Sequence, residues 1–114
     1  MNKRKTGAFY EETAAAFLKQ NGYRILQKNY RCRGAEIDLI AMDGDYLVFV
    51  EVKYRRNACF GDGTEAVDRR KQHRIIRGAS CFLSEKCKWD IPCRFDVVAV
   101  SEKGIVLIRD AFTV

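Results

Sequence analysis

The stretch EIDLIAMDGDYLVFVEVK, residues 36–53, decides the fold. Two strand-forming runs flank Asp43-Gly44, a two-residue hairpin signal. With that pair as the loop, Met42 faces Asp45, Asp38 faces Phe49, and Glu36 faces Glu51. Paired residues share a face, as do residues two apart on one strand. The register therefore predicts Glu36, Asp38, Glu51 and Lys53 on one side of the sheet. A one-residue slip would separate Asp38 from Glu51 and Lys53. The run LVFVEV is almost wholly apolar, which predicts a central strand covered on both faces.

Upstream, a helix is predicted from about Thr6 to Asn21, ended by Gly22. Tyr10, Ala14, Phe17 and Leu18 form its apolar stripe, which leaves Glu12 pointing to solvent and Glu11 at the edge of the core. Tyr23 to Tyr30 suits an outer strand. Downstream, a loop from Asn57 to Gly63 leads to a second helix from about Thr64 to Lys86. Its buried stripe is Ile75, Gly78, Ala79, Phe82 and Leu83. Arg70, Arg74 and Arg77 repeat on its solvent face beside His73, while Lys71 and Gln72 lie on its flanks, within reach of a site at the sheet. Strands at Pro92–Val100 and Ile105–Asp110, joined by a turn at Ser101–Gly104, complete one α/β domain over residues 1–114. Its order is α-β-β-β-α-β-β, a mixed central sheet flanked by helices.

Composition narrows the class. The 114 residues are 47% hydrophobic and 32% charged with a single Pro, which excludes a disordered or low-complexity chain. The longest apolar run is strand-sized, and the basic start MNKRKTG leads into Glu11 and Glu12, not an apolar segment. No membrane association and a cytoplasmic location are the expectations. Five cysteines, without a Cys-x-x-Cys pair, read as reduced thiols. Net charge is +6, unevenly spread: residues 1–35 carry 8 basic and 2 acidic groups, 36–50 carry four acids and no base, and 51–78 carry 8 and 4. A carboxylate island between basic flanks fits a cation site within a polyanion-binding surface. The basic excess alone equally describes a solvated surface.

Packed carboxylates need a positive partner: a metal ion, Lys53 or an arginine. Oxygen donors suit Mg²⁺ or Mn²⁺, and the Lys53 ammonium could then stabilise charge building on a phosphate. The same alternation also describes a solvated hairpin with cross-strand Glu–Lys pairs. Residue types alone leave both open.

Asp38 followed by Glu51-Val52-Lys53 resembles the signature of the PD-(D/E)XK nuclease superfamily, which has the restriction-endonuclease-like fold. The chain is similar, over nearly its whole length, to the YraN-like family of predicted endonucleases. Gly7, Glu11, Ala14, Asn29-Tyr30-Arg31, Glu36-Ile37-Asp38-Leu39-Ile40-Ala41, Phe49-Val50-Glu51-Val52-Lys53, Arg55, Phe60-Gly61, Lys71 and Arg94-Phe95-Asp96-Val97-Val98 carry the likeness. Ala35 stands where that family usually has Gly. The resemblance implies a Mg²⁺- or Mn²⁺-dependent DNA endonuclease with Asp38, Glu51 and Glu36 as metal ligands. Lys53 is then the catalytic lysine, and Glu11 a further acid of the site, as in related junction resolvases; structure-selective cutting is in keeping with that relationship. Arg55, Arg56, Arg70, Arg74 and Arg77 are the candidate DNA contacts, and a homodimer would let one centre serve each strand. The alternative is a nucleic-acid-binding or recombination accessory module without turnover. Tyr54 and Phe60 are candidates for stacking on an unpaired base. Lys71 and Asp96 match family positions and read by default as a helix-packing lysine and a strand-end ion pair.

Overall fold

The computed structural model describes residues 3–54, 67–86 and 90–114. Helix α1 (Lys3–Gln20) is followed by strands β1 (Arg24–Cys32), β2 (Ala35–Asp43) and β3 (Tyr46–Tyr54), then helix α2 (Arg69–Lys86) and strands β4 (Cys93–Ser101) and β5 (Gly104–Phe112). The five strands form one sheet in the order β1-β2-β3-β4-β5. Every neighbouring pair is antiparallel except β3–β4, which is parallel and joined by the segment containing α2. The expected element order and the mixed sheet are both present.

Each helix covers one face. On the α1 side, Ala14, Ala15 and Leu18 pack against Leu39, Ala41, Val48, Val50, Val98 and Val100. On the α2 side, Ile75, Ala79 and Phe82 pack against Ile37, Ile40, Phe49, Phe95 and Val97. The central strand β3 is buried from Leu47 to Val50 on both faces, as its apolar run demands. No described helix is long and apolar enough to cross a membrane.

Local chemistry sets the ends. At the C-terminus of α1, Gly22 adopts φ 89°. The Tyr23 N–H donates to the Leu18 carbonyl at 3.0 Å and the Gly22 N–H to that of Lys19 at 3.1 Å, a Schellman closure. Helix α2 starts at Arg69, later than the expected Thr64, because Asp68 caps it: its Oδ1 accepts the Lys71 N–H at 2.8 Å. Residues 55–66, including the expected loop and the beginning of the expected helix, lie outside the described residues.

The central hairpin differs from expectation by one residue per strand. Asp43 pairs with Tyr46, Met42 with Leu47 and Leu39 with Val50, so the loop is Gly44-Asp45. Gly44 takes the positive φ, 60°, at the first loop position, where a type II′ turn needs glycine. Asp43 stays in the strand and accepts a hydrogen bond from Arg94 at 2.7 Å. Moving both strands by one preserves which positions share a face, so this correction alone would not move Asp38 relative to Glu51.

A second irregularity does move it. Ile37 and Ile40 both belong to the α2-side core, although they are three apart, while Leu39 faces α1. Strict alternation is broken at Asp38, which lines a cavity on the α1 side. On β1 the matching position is Asn29, between the pairs Lys28↔Leu39 and Tyr30↔Ile37, and it adopts φ 54°. Gly78 explains where Ile37 goes. A Cβ on Gly78 would stand 3.1 Å from Ile37 Cδ1, so the missing side chain leaves the space Ile37 fills.

Candidate metal centre and its surroundings

Glu11, Glu36 and Asp38 converge from α1 and β2. One carboxylate oxygen of each lies within 4.8 Å of the others. They line a cavity of about 770 Å³ with Tyr10, Asn29, Arg31, Val52 and Tyr54. The preference for Glu11 over Glu12 matches the structure, since Glu11 is half-buried and Glu12 exposed.

Each carboxylate is held differently. Asp38 Oδ2 accepts the Val52 backbone N–H at 2.9 Å, just past the last β2–β3 pair. The side chain thus takes a donor where the strand ladder ends. Asn29, with its amide nitrogen turned toward α1, donates to Glu11 Oε1 at 2.7 Å. Glu36 meets Arg31 at 3.7 Å on the open rim, a loose and screened contact. Burial and then the charge of Asp38 raise the Glu11 pKa. Burial raises that of Asp38 too, against the pull of the Val52 N–H and the Lys71 charge. The group is short of positive charge.

Glu51 stands on the other side of the sheet from Asp38, contrary to the single-face expectation. It is 5% exposed and meets Lys71 of α2 at 3.5 Å. The broken alternation at Asp38 is the cause: β3 alternates regularly and sends Glu51 toward α2. The two acids still feel each other. Burial and then the Asp38 charge push the Glu51 pKa up to about 7, despite the neighbouring charges of Lys71 and Lys53. Glu51 Oε2 is buried without a hydrogen-bond partner among the described residues. A buried carboxylate oxygen left in that state is costly, and a bound cation would relieve it.

Lys71 therefore does more than pack a helix: from its flank position on α2 it reaches the sheet, as the helical spacing predicts. Gln72, the other flanking candidate, turns away and donates to the Val67 carbonyl at 2.9 Å. Lys53, two residues after Glu51 on the same strand, shares that face and does not line the carboxylate cavity, again contrary to the single-face expectation; it makes no ion pair or hydrogen bond among the described residues. Asp96 is fully buried on β4, level with Val50, and belongs to a separate network that runs through Arg94 toward Asp43. Arg94 donates to both Asp96 oxygens at 2.9 Å, and the Tyr23 hydroxyl donates to Oδ2 at 2.6 Å. The ion-pair reading of Asp96 fits that placement.

Arg70, Arg74 and Arg77 are exposed and share one depression with Arg69 and His73. A second depression, with Arg31, Arg33 and Arg74 on its walls, links that stripe to the rim at Glu36. Arg31 and Arg33 were not among the candidates, although the alternation Arg31-Cys32-Arg33 before Gly34 marks a basic hairpin tip. Arg55, Arg56 and Phe60 lie outside the described residues. Among the described cysteines, Cys32, Cys81 and Cys93 are free thiols.

Fold and site together define a small mixed α/β protein with a carboxylate-lined cavity at one end of its sheet. The chain belongs to the family described as Uncharacterised protein family UPF0102, whose pattern matches residues 10–100. It is 44% identical over 112 residues to a UPF0102 protein of Stutzerimonas stutzeri (strain A1501), covering 94% of this chain and 93% of the relative. It is 47% identical over 113 residues to one of Lachnoclostridium phytofermentans, covering 98% and 96%. A third, from Syntrophus aciditrophicus (strain SB), is 51% identical over 112 residues, covering 95% and 88%.

Proposed function

We propose that the chain is a metal-dependent DNA endonuclease of the restriction-endonuclease-like fold. The observation that carries this reading is the convergence of Glu11, Glu36 and Asp38 on one cavity, with Glu51 Oε2 buried across the sheet and without a hydrogen-bond partner among the described residues. The all-oxygen donor set fits Mg²⁺ or Mn²⁺, with Asp38, Glu36 and Glu11 as holders and Glu51 as a further acid behind Asp38. Such an ion, when bound, lowers the pKa of its water and neutralises charge on a phosphate.

The protein's own groups divide the remaining work. Lys71 offsets part of the negative charge of Glu51 and Asp38. Lys53, near the end of β3 and without an ion pair or hydrogen bond among the described residues, is the group that would stabilise charge on the phosphate under attack. The depressions holding Arg31, Arg33, Arg74, Arg70 and Arg77 offer a basic path for the backbone leaving the site. One centre cuts one strand, so a double-strand cut calls for two copies of the chain. Cutting directed by the shape of the DNA, as in junction resolvases, is the finer form of this reading.

Two expected results test it. Saturating Mn²⁺ at about ten times its Kd should raise the melting temperature by about 5 to 10 °C through linkage. Asp38→Asn keeps the shape and removes a charge, so most of that rise should vanish; equal rises would remove Asp38 from the ligand set. Replacing Arg70, Arg74 and Arg77 together by Ala should lower DNA affinity at low salt. It should also flatten the slope of log K against log salt by about 2 to 3. An unchanged slope would assign the stripe to solubility. Failure of the wild type to cut duplex, flap, single-stranded and junction DNA would favour the accessory binding module.

A further inference from the structure

An aromatic step forms one wall of the carboxylate cavity. Tyr10, next to Glu11 on α1, stacks on Tyr54, next to Lys53 on β3, with ring centroids 4.5 Å apart and planes at 15°. Phe9 sets its ring against Tyr10 at 5.5 Å and 72°. The outer members remain open: Phe9 is 63% exposed and Tyr54 38%. The core accounts for neither ring, since Phe9 and Tyr54 both lie outside its two apolar clusters. Tyr54 lines the charged cavity and Phe9 continues the step outward from Tyr10, so open ring surface adjoins the acids, a place suited to binding something flat.

We propose that this step takes an unpaired nucleobase, so that the substrate is nucleic acid with unpaired nucleotides at or beside the cut. The inference rests on the nuclease reading of the same cavity and specifies its substrate class. Three kinds of wall meet there: aromatic at Tyr10 and Tyr54, acidic at Glu11, Glu36 and Asp38, and basic at Arg31. A nucleotide presents the matching parts, a π-face, a phosphate that a bound cation can hold, and a backbone for the arginine. A base within an intact duplex is stacked above and below and cannot also lie against a protein ring. A base in a single strand, a flap or a fork can. The step is sequence-tolerant, because every base has a π-face.

The test separates stacking from cutting. Wild type, Phe9→Ala, Tyr54→Leu and the double variant are titrated in EDTA with single-stranded DNA carrying 2-aminopurine, and with a fully paired duplex of the same length. Cleavage by the wild type is then measured with Mn²⁺ on both. The wild type should quench 2-aminopurine and prefer the single strand. The double variant should lose about tenfold in single-strand affinity and most of the quenching, with a much smaller loss on duplex. Equal losses on both DNAs, or quenching kept by the double variant, would overturn the proposal. Should the double variant fail to fold, Phe9→Ala alone, at an exposed position, must still lower the single-strand preference. Cleavage without quenching would sink the stacking step and leave the nuclease reading standing. Quenching without cleavage on any DNA would do the reverse.

Discussion

Lys53→Ala is expected to slow single-turnover cleavage by about two to three orders of magnitude while leaving DNA affinity within about threefold. Two lysines act on Glu51, and they are not equivalent. Lys71 meets it at 3.5 Å and also lowers the pKa of Asp38, so its charge is spent on the acids. Lys53 shares the Glu51 face of β3, across the sheet from Asp38, and makes no ion pair or hydrogen bond among the described residues, which leaves its ammonium, near the end of the strand, for the phosphate. Bulk electrostatic attraction comes from the arginines, so the loss should fall on the transition state and not on binding. Lys53→Arg should recover little, because the guanidinium is wider and directs its donors differently. pH separates the two roles. Without Lys71, Glu51 should hold its proton to still higher pH, so Lys71→Ala should regain part of its activity as pH rises. Lys53→Ala should regain none. A wild-type rate for Lys53→Ala, with a pH-independent loss for Lys71→Ala, would transfer the catalytic role to Lys71.

The sequence was informative wherever a pattern repeats. Helical spacing identified the buried stripe of α2, and the wheel separated Glu11 from Glu12; the apolar run at Leu47–Val50 placed β3 in the middle of the sheet. Turn chemistry put the hairpin within one residue of its loop. What alternation could not foresee was the local break at Asp38, because its causes are distant in sequence. One is the missing side chain of Gly78, which makes room for Ile37 on the α2 side. The other is the left-handed backbone of Asn29 on the neighbouring strand. An asparagine inside a strand was a visible hint, since it tolerates positive φ better than most residues. Helical spacing put Lys71 within reach of a site at the sheet, but its partner Glu51 was hidden for a different reason: the pair joins a helix to a strand, and no periodicity on either element says which residues meet.

Glu51→Gln is expected to abolish cleavage and at the same time stabilise the metal-free protein at pH 8. The Glu51 carboxyl has an ordinary pKa of 4.5 and is pushed up to about 7 in the fold, first by burial and then by Asp38. Between those values the unfolded chain has released a proton that the folded chain keeps. Stability from this group is therefore full below about pH 4.5, falls as pH rises, and is gone above about 7. The shift corresponds to about 3 kcal/mol, because Glu51 is buried and solvent screens it little. Asp38 and Glu11 are shifted in the same direction and should steepen the decline. Metal-free wild type should accordingly lose about 10 °C or more in melting temperature between pH 5 and pH 8. Glu51→Gln cannot ionise, so its curve should be flatter and should lie above the wild type at pH 8. Mn²⁺ should restore the wild type most strongly at high pH, where it no longer competes with protons, and should restore the variant less. Melting curves at four or five pH values, with EDTA and with Mn²⁺, measure all of this. A Glu51→Gln protein that melts below the wild type at pH 8 in EDTA would make the Lys71–Glu51 pair a net stabiliser. The buried acid would then be structural and would lend no support to a cation beside Asp38.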